Sequence, residues 1–260
     1  MLVDYLERGV LAGVIAGLAY GLYMALVANP LLGYMETVAE GGEHGDHASA
    51  GEHAHAAGEH AHEAGEHAHA VSEATTAAVS IGGGVLWGIL LGGVFALAFY
   101  FLEPALPGRG RVKTYVLAGA GFLAVSLAPW LVLPPTTPGA EQAFDPTFRS
   151  ALYAGMMAVG AVVAAGSIYG YRRVSARSRP IGVVTAAVPI VALVAITAVA
   201  APTIVEIGAM PAELVAAFRG ITVLSQAALW ALVAGCFGWL QTRAGVRPAA
   251  ERRDDLLTSP

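Results

Sequence analysis

All eight histidines of the chain lie between His44 and His69. They fall in a repeat of period seven, Gly51-Glu52-His53-Ala54-His55, Gly58-Glu59-His60-Ala61-His62 and Gly65-Glu66-His67-Ala68-His69. Glu43-His44 with Asp46-His47 makes a degenerate fourth unit. A neutral imidazole nitrogen is a borderline-soft ligand for cobalt, nickel, copper and zinc ions, and a neighbouring carboxylate adds charge and an oxygen ligand. The repeat therefore points to capture of a divalent transition metal by His44, His47, His53, His55, His60, His62, His67 and His69. Imidazole affinity follows the Irving–Williams order, so these residues alone leave cobalt, nickel and zinc open. Two other readings of the same residues are a solvated acidic linker and a pH sensor titrating near the ordinary histidine range.

The spacing argues against a rigid helical site. Residues two apart on a helix point in nearly opposite directions, and no histidine pair in the three regular repeats is spaced by three or four. Glycine at every seventh position, abundant alanine and nine acidic residues without a basic one between Glu36 and Glu73 predict a disordered loop that wraps ions as they arrive. Ordering such a chain costs free energy at binding, so affinity is expected to be modest.

The elements that must hold this loop are apolar. Hydrophobic residues make up 56% of the 260 and charged ones 13%, with a mean hydropathy of +0.63, whereas soluble domains carry about 25% charged residues. A net charge of −5 gives no reason to expect nucleic acid as a partner. The single cysteine, Cys236, allows no internal disulfide. Six stretches lack Asp, Glu, Lys and Arg: Gly9 to Met35, Ala74 to Leu102, Thr114 to Ala140, Ser150 to Tyr171, Pro180 to Val205 and Gly220 to Thr242. Each reaches the roughly 20 residues that a helix needs to cross a hydrocarbon core of about 30 Å. The expected fold is all-α, a polytopic bundle of about six membrane-spanning helices in contact with lipid. It divides into a first span over 1–35, the histidine loop over 36–73, five further spans over 74–242 and a tail over 243–260.

Twelve of the 14 basic residues fall before the first span, after the second, after the fourth or in the tail. The alternate loops hold only Arg149 and Arg219. The positive-inside rule then puts both termini in the cytoplasm of a cell-membrane protein and the histidine loop outside. Gly9, Gly13, Gly17 and Gly21 form one helical stripe, and Gly84, Gly88 and Gly92 another. Such stripes let backbones approach closely, either inside the bundle, the preferred reading, or across a homo-oligomer. The first apolar run exceeds the 7 to 15 residues or so of a signal-peptide core, so it is read as a span.

Other ionisable groups sit at span ends. Glu36 follows Asn29-Pro30-Leu31-Leu32, Glu103 precedes Pro104, and Glu206 follows Pro202. A carboxylate at bilayer depth is usually functional, whereas one at the interface is simply solvated. A proline near each leaves carbonyls free to join a carboxylate around a cation, so Glu36, Glu103 and Glu206 are the candidate ligands of a path through the bundle. Met24, Met156, Met157, Ser126, Gln226 and Cys236 are neutral or softer groups within spans, for which packing is the expected role. No phosphate-binding loop, nucleophile elbow or zinc-protease motif occurs, and no enzymatic activity is expected. Inward movement of a divalent cation needs no nucleotide, since about 4.6 kcal/mol per 100 mV favours it.

Several local signatures combine in one order. Asn29-Pro30-Leu31-Leu32 with Glu36 precedes the histidine loop, and Ala128-Pro129 and Leu133-Pro134-Pro135-Thr136-Thr137-Pro138-Gly139 precede Arg149. Ala201-Pro202, Glu206, Pro211-Ala212-Glu213-Leu214, Phe218, Gln226 and Trp230 follow. In this the chain resembles the CbtA family of probable cobalt transporter subunits. The resemblance implies uptake of cobalt(II) serving cobalamin synthesis, beside a small one-span, histidine-containing subunit of the CbtB type. The chain departs from the family at Ser150, Ala151, Leu152 and Tyr153, where aromatic residues are usual, and in six expected spans where five are commonly described. The alternative function is a metal-binding or metal-sensing membrane subunit that serves a separate permease.

Overall fold

The computed structural model describes residues 2–43, 73–138, 140–142, 144–200, 205–206 and 210–245. Among them are six helices long and apolar enough to cross a membrane. The first span joins α1 (Leu2–Tyr23), a π-helical turn (Met24–Ala28) and α2 (Asn29–Glu43). The second is α3 (Glu73–Leu102), and the third joins α4 (Arg111–Phe122), a second π-helical turn (Leu123–Leu127) and α5 (Ala128–Trp130). The last three are α6 (Pro146–Ser175), α7 (Arg179–Ala200) and α8 (Ala212–Gly245). A two-residue antiparallel ladder, β1 (Glu141–Gln142) with β2 (Val205–Glu206), ties two connecting segments together.

The first helix continues past Met35, where the charge-free stretch ends, as far as Glu43. Met35 is fully buried against Met210 and Val215, with Leu31, Val38, Leu214 and Phe218 around them, and this packing holds the added turns. The 42 helical residues from Leu2 to Glu43 have a contour of about 63 Å. That is about twice a hydrocarbon core of about 30 Å, so this helix is longer than a span requires.

The two glycine stripes face each other. A Cβ added at Gly17 would come within 2.5 Å of the Gly84 carbonyl oxygen, and one added at Gly84 within 2.5 Å of Gly21 Cα. Gly9 and Gly13 meet Gly92 and Gly88 in the same antiparallel register. In lipid, where no hydrophobic force draws apolar helices together, such close backbone packing is what holds them. Both stripes are consumed within the chain, which leaves neither as a face for self-association. Below them Tyr5, Phe95, Phe99 and Phe237 form an aromatic cluster, with Phe99 and Phe237 edge to face at 5.2 Å, and this seats α8 on the α1–α3 pair.

Each π turn precedes a proline, Pro30 or Pro129. Pro129 has no N–H to offer the carbonyl four residues earlier, that of Val125. Tyr153 on α6 supplies the missing donor, its hydroxyl giving a 2.7 Å bond to that oxygen. Asp145 starts α6 as an N-cap, accepting from the Thr147 and Phe148 amides at 2.9 and 3.1 Å, with Pro146 at the first helical position. At the periphery α7 packs chiefly on α6, and Val183, Val184, Val188, Val191 and Ile196 remain exposed as an apolar surface suited to lipid.

Candidate functional site

Contacts assign the helix ends to two poles. At one, Arg8 donates to Gln241, Tyr5 donates to Glu103 Oε2 at 3.3 Å, and Lys113 pairs with Glu103 Oε1 at 3.3 Å. There too Arg111 reaches Thr242 Oγ1 at 3.4 Å, and Arg172 donates to the Ala105 carbonyl at 2.8 Å. Arg243 lies 3.9 Å over the Trp239 ring. The start of the first span and the ends of the second, fourth and sixth thus meet at one basic pole, as six alternating spans require.

The opposite pole is acidic. It holds Glu36 on α2, Glu213 in the first turn of α8, Asp145 at the head of α6, and the ladder in which Glu141 stands directly opposite Glu206. Glu36 is exposed, one residue past the buried Met35. Through Met35 and Met210 the turn bearing Glu36 packs against the start of α8. The basic residues here are Arg149 and Arg219, and Arg219 is held by a 3.4 Å bond from its Nε to the Pro135 carbonyl. Glu43 and Glu73, the helix ends that flank the histidine loop, belong to this pole.

Of the carboxylates proposed from sequence, Glu36 and Glu206 therefore lie at one end of the bundle and Glu103 at the other. Glu103 is partly exposed and already engaged by Lys113 and Tyr5, so a cation there would have to displace an ammonium. The eight histidines, His44 to His69, lie outside the described residues. Among the described residues, no three His, Cys, Asp or Glu side chains gather into a metal-sized group. Glu141 was missed as a candidate. Its signal was its place at the end of the charge-free stretch of the third span, the same kind of boundary position as Glu36 and Glu206.

Between the poles the polar groups are neutral. Gln226 on α8 donates to the Tyr20 hydroxyl on α1 at 2.9 Å, and Asn29 donates to Ser80 Oγ at 2.8 Å across the first and second spans. Ser126 is buried, while Met24, Met156, Met157 and Cys236 are half-buried. These are oxygen and sulfur dipoles without formal charge. They can replace part of a hydration shell but cannot neutralise an ion.

The sequence matches the family described as "Probable cobalt transporter subunit (CbtA)" over residues 2–242. Comparison with curated proteins and with solved structures returns no match. A match over nearly the whole chain, covering all six apolar helices, establishes membership: the chain belongs to the CbtA family of probable cobalt transporter subunits.

Proposed function

We propose that this chain is the translocating subunit of a cobalt(II) uptake system. The histidine loop concentrates the ion outside the cell, and the acidic pole hands it into the bundle. The observation that carries the reading is the polarity of the bundle. Its helix ends separate into a basic pole and an acidic pole, and both ends of the histidine loop spring from the acidic one. By the positive-inside rule the basic pole is cytoplasmic. An acidic mouth raises the local concentration of a cation, and imidazole and carboxylate are both ligands that cobalt(II) accepts. Glu36, Glu206 and Glu141 receive the ion from the histidines. The backbones of Glu141 and Glu206 pair in register, which brings two acidic residues to one point of the chain's acidic pole. Glu103, at the cytoplasmic pole, serves as the exit ligand once Lys113 swings away. The membrane potential supplies the driving force. The family description names cobalt, and neither nickel nor zinc.

The word subunit implies a partner, and the small one-span, histidine-bearing subunit of the CbtB type fits that place. A second reading, a metal-binding subunit that feeds a separate permease, is favoured by the neutral interior between the poles. Accumulation of radioactive cobalt in cells expressing the chain alone, the partner alone and both together separates the two. Uptake that needs this chain and is lost in its Glu36→Gln, Glu206→Gln double variant supports translocation. Full uptake by the partner without this chain refutes it.

A further inference from the structure

The third and fourth spans meet closely at one level only. A Cβ on Gly160 would lie 2.8 Å from Ala124 Cα and 2.8 Å from Ala128 Cβ, where α6 crosses the π turn and α5. Toward the basic pole the helices diverge, and α6 packs far less on α4 than on that crossing. The walls combine small residues, Ala120, Ala124, Ala161 and Ala165, with Leu117 and Ile168. Facing small residues bring α1 and α3 into backbone contact, yet here they leave an open cleft of about 690 Å³. An unfilled gap of this size forfeits packing contacts on both walls.

The cleft has a polar end and a defined depth. Arg172 and Arg173 lie at its mouth with Tyr169 one turn before them, and the Lys113–Glu103 ion pair involves neither arginine. Arg172 spends one N–H on the Ala105 carbonyl and keeps its other donors. From Ala161 to Arg173 the α6 wall rises about 18 Å. That is the depth of one leaflet, half of a hydrocarbon core of about 30 Å, together with its headgroup level. A spanning helix would need a groove through both leaflets.

We infer that this cleft is a binding site for one anionic phospholipid of the cytoplasmic leaflet, with its phosphate on Arg172 and Arg173 and an acyl chain along the alanine walls. A guanidinium pair suits a phosphodiester, and the Tyr169 hydroxyl stands at the level of the glycerol. Basic pockets between spans on the cytoplasmic side hold anionic headgroups by the same chemistry. The site does not depend on what ion the chain carries.

The test is native mass spectrometry of the full chain in mild detergent, titrated with phosphatidylglycerol and phosphatidylcholine of equal chain length. Two arginines near a membrane surface, at about 1 kcal/mol each, predict retention of phosphatidylglycerol on the order of 30-fold over phosphatidylcholine. The Arg172→Gln, Arg173→Gln pair should abolish that preference, and Ala165→Leu should reduce retention of both lipids by occupying the cleft. Arg177→Gln with Arg179→Gln, outside the cleft, should leave the preference within about threefold of wild type, the gain of a single surface charge being about fivefold. Circular dichroism melting of each variant shows that it is folded. Equal retention of the two lipids by wild type overturns the inference. So does an undiminished preference in the Arg172→Gln, Arg173→Gln variant. Cross-linking of a cysteine at Ala165 to the partner subunit rather than to a photoreactive lipid would assign the cleft to protein and also overturn it.

Discussion

The glycine seam between α1 and α3 predicts a sharp difference between two neighbouring substitutions. At Gly88 an added Cβ would stand 2.5 Å from Gly17 Cα and 2.8 Å from Gly17 N, both backbone atoms that cannot rotate away. Carbon atoms pack at about 3.5–4.0 Å, so Gly88→Ala must part the helices locally by about 1 Å. A gap of that size forfeits a quarter to a half of the dispersion energy along the seam, where Ala12, Ala16, Leu91 and Phe95 are also buried. Overpacking of this kind costs about 1–3 kcal/mol. Gly93, five residues on, has nothing within 4 Å of its would-be Cβ. Gly93→Ala should therefore be neutral or stabilising, by up to about 1 kcal/mol of helix propensity. A difference of about 2–3 kcal/mol between the variants, roughly 30- to 150-fold in the unfolding equilibrium, should appear in SDS titrations of the protein in mixed micelles followed by circular dichroism. Equal unfolding midpoints for the two variants would refute the reasoning, since they share chemistry and helix and differ only in what the methyl group meets.

Three further outcomes follow from the poles. With Cys236 replaced, an impermeant thiol reagent on intact cells should label a cysteine placed at Ala48 and spare one placed at Ser178; the reverse pattern would invert the orientation. Deleting residues 42–70 should lower uptake at scarce cobalt about tenfold while leaving most of it at plentiful cobalt, because flexible ligands raise local concentration without setting translocation; loss at every concentration with normal insertion would place the path in the loop. Glu36→Gln or Glu206→Gln should instead depress uptake at plentiful cobalt as well, and variants that insert normally and match wild type would reduce these carboxylates to solvated interface residues.

Span number and the close-packing role of the glycine stripes were legible in the sequence, because lipid imposes strict rules. An uncharged run of sufficient length becomes a helix, and glycines four apart need a backbone to meet. The partner of each stripe was less certain than its existence, since a repeat of small residues reads the same whether its mate lies in the chain or in a second copy. The reach of the first helix to Glu43 was hidden by polarity. Glu36 and Glu40 ended the apolar run, but helix ends follow packing, and Met35 finds Met210 far away in sequence. Glu141 escaped for the same reason, since its position opposite Glu206 is set by how two connecting segments cross. The pairing of Glu103 with Lys113 spans only ten residues and was within reach of the sequence, had the turn at Glu103–Ala105 been anticipated.

The distribution of ligand strength along the bundle bears directly on how it would move an ion. The carboxylates lie at the poles, while the groups between them are the Tyr20–Gln226 and Asn29–Ser80 pairs and other neutral dipoles. One candidate carbonyl, freed at Val125 by Pro129, is already taken by Tyr153 and is closed to a cation unless that bond breaks. Conduction needs binding favourable enough for capture and weak enough for release. A deep carboxylate cluster would hold a divalent ion tightly within a low dielectric and stall it there. On the proposed path, neutral oxygens would replace part of the hydration shell at little depth of well, so an ion delivered at the acidic pole would be free to leave toward the opposite one. The absence of charged ligand clusters among the described residues of the spans is therefore compatible with translocation. On the proposed reading, the demand for selectivity falls on the acidic pole and the histidine loop that springs from it.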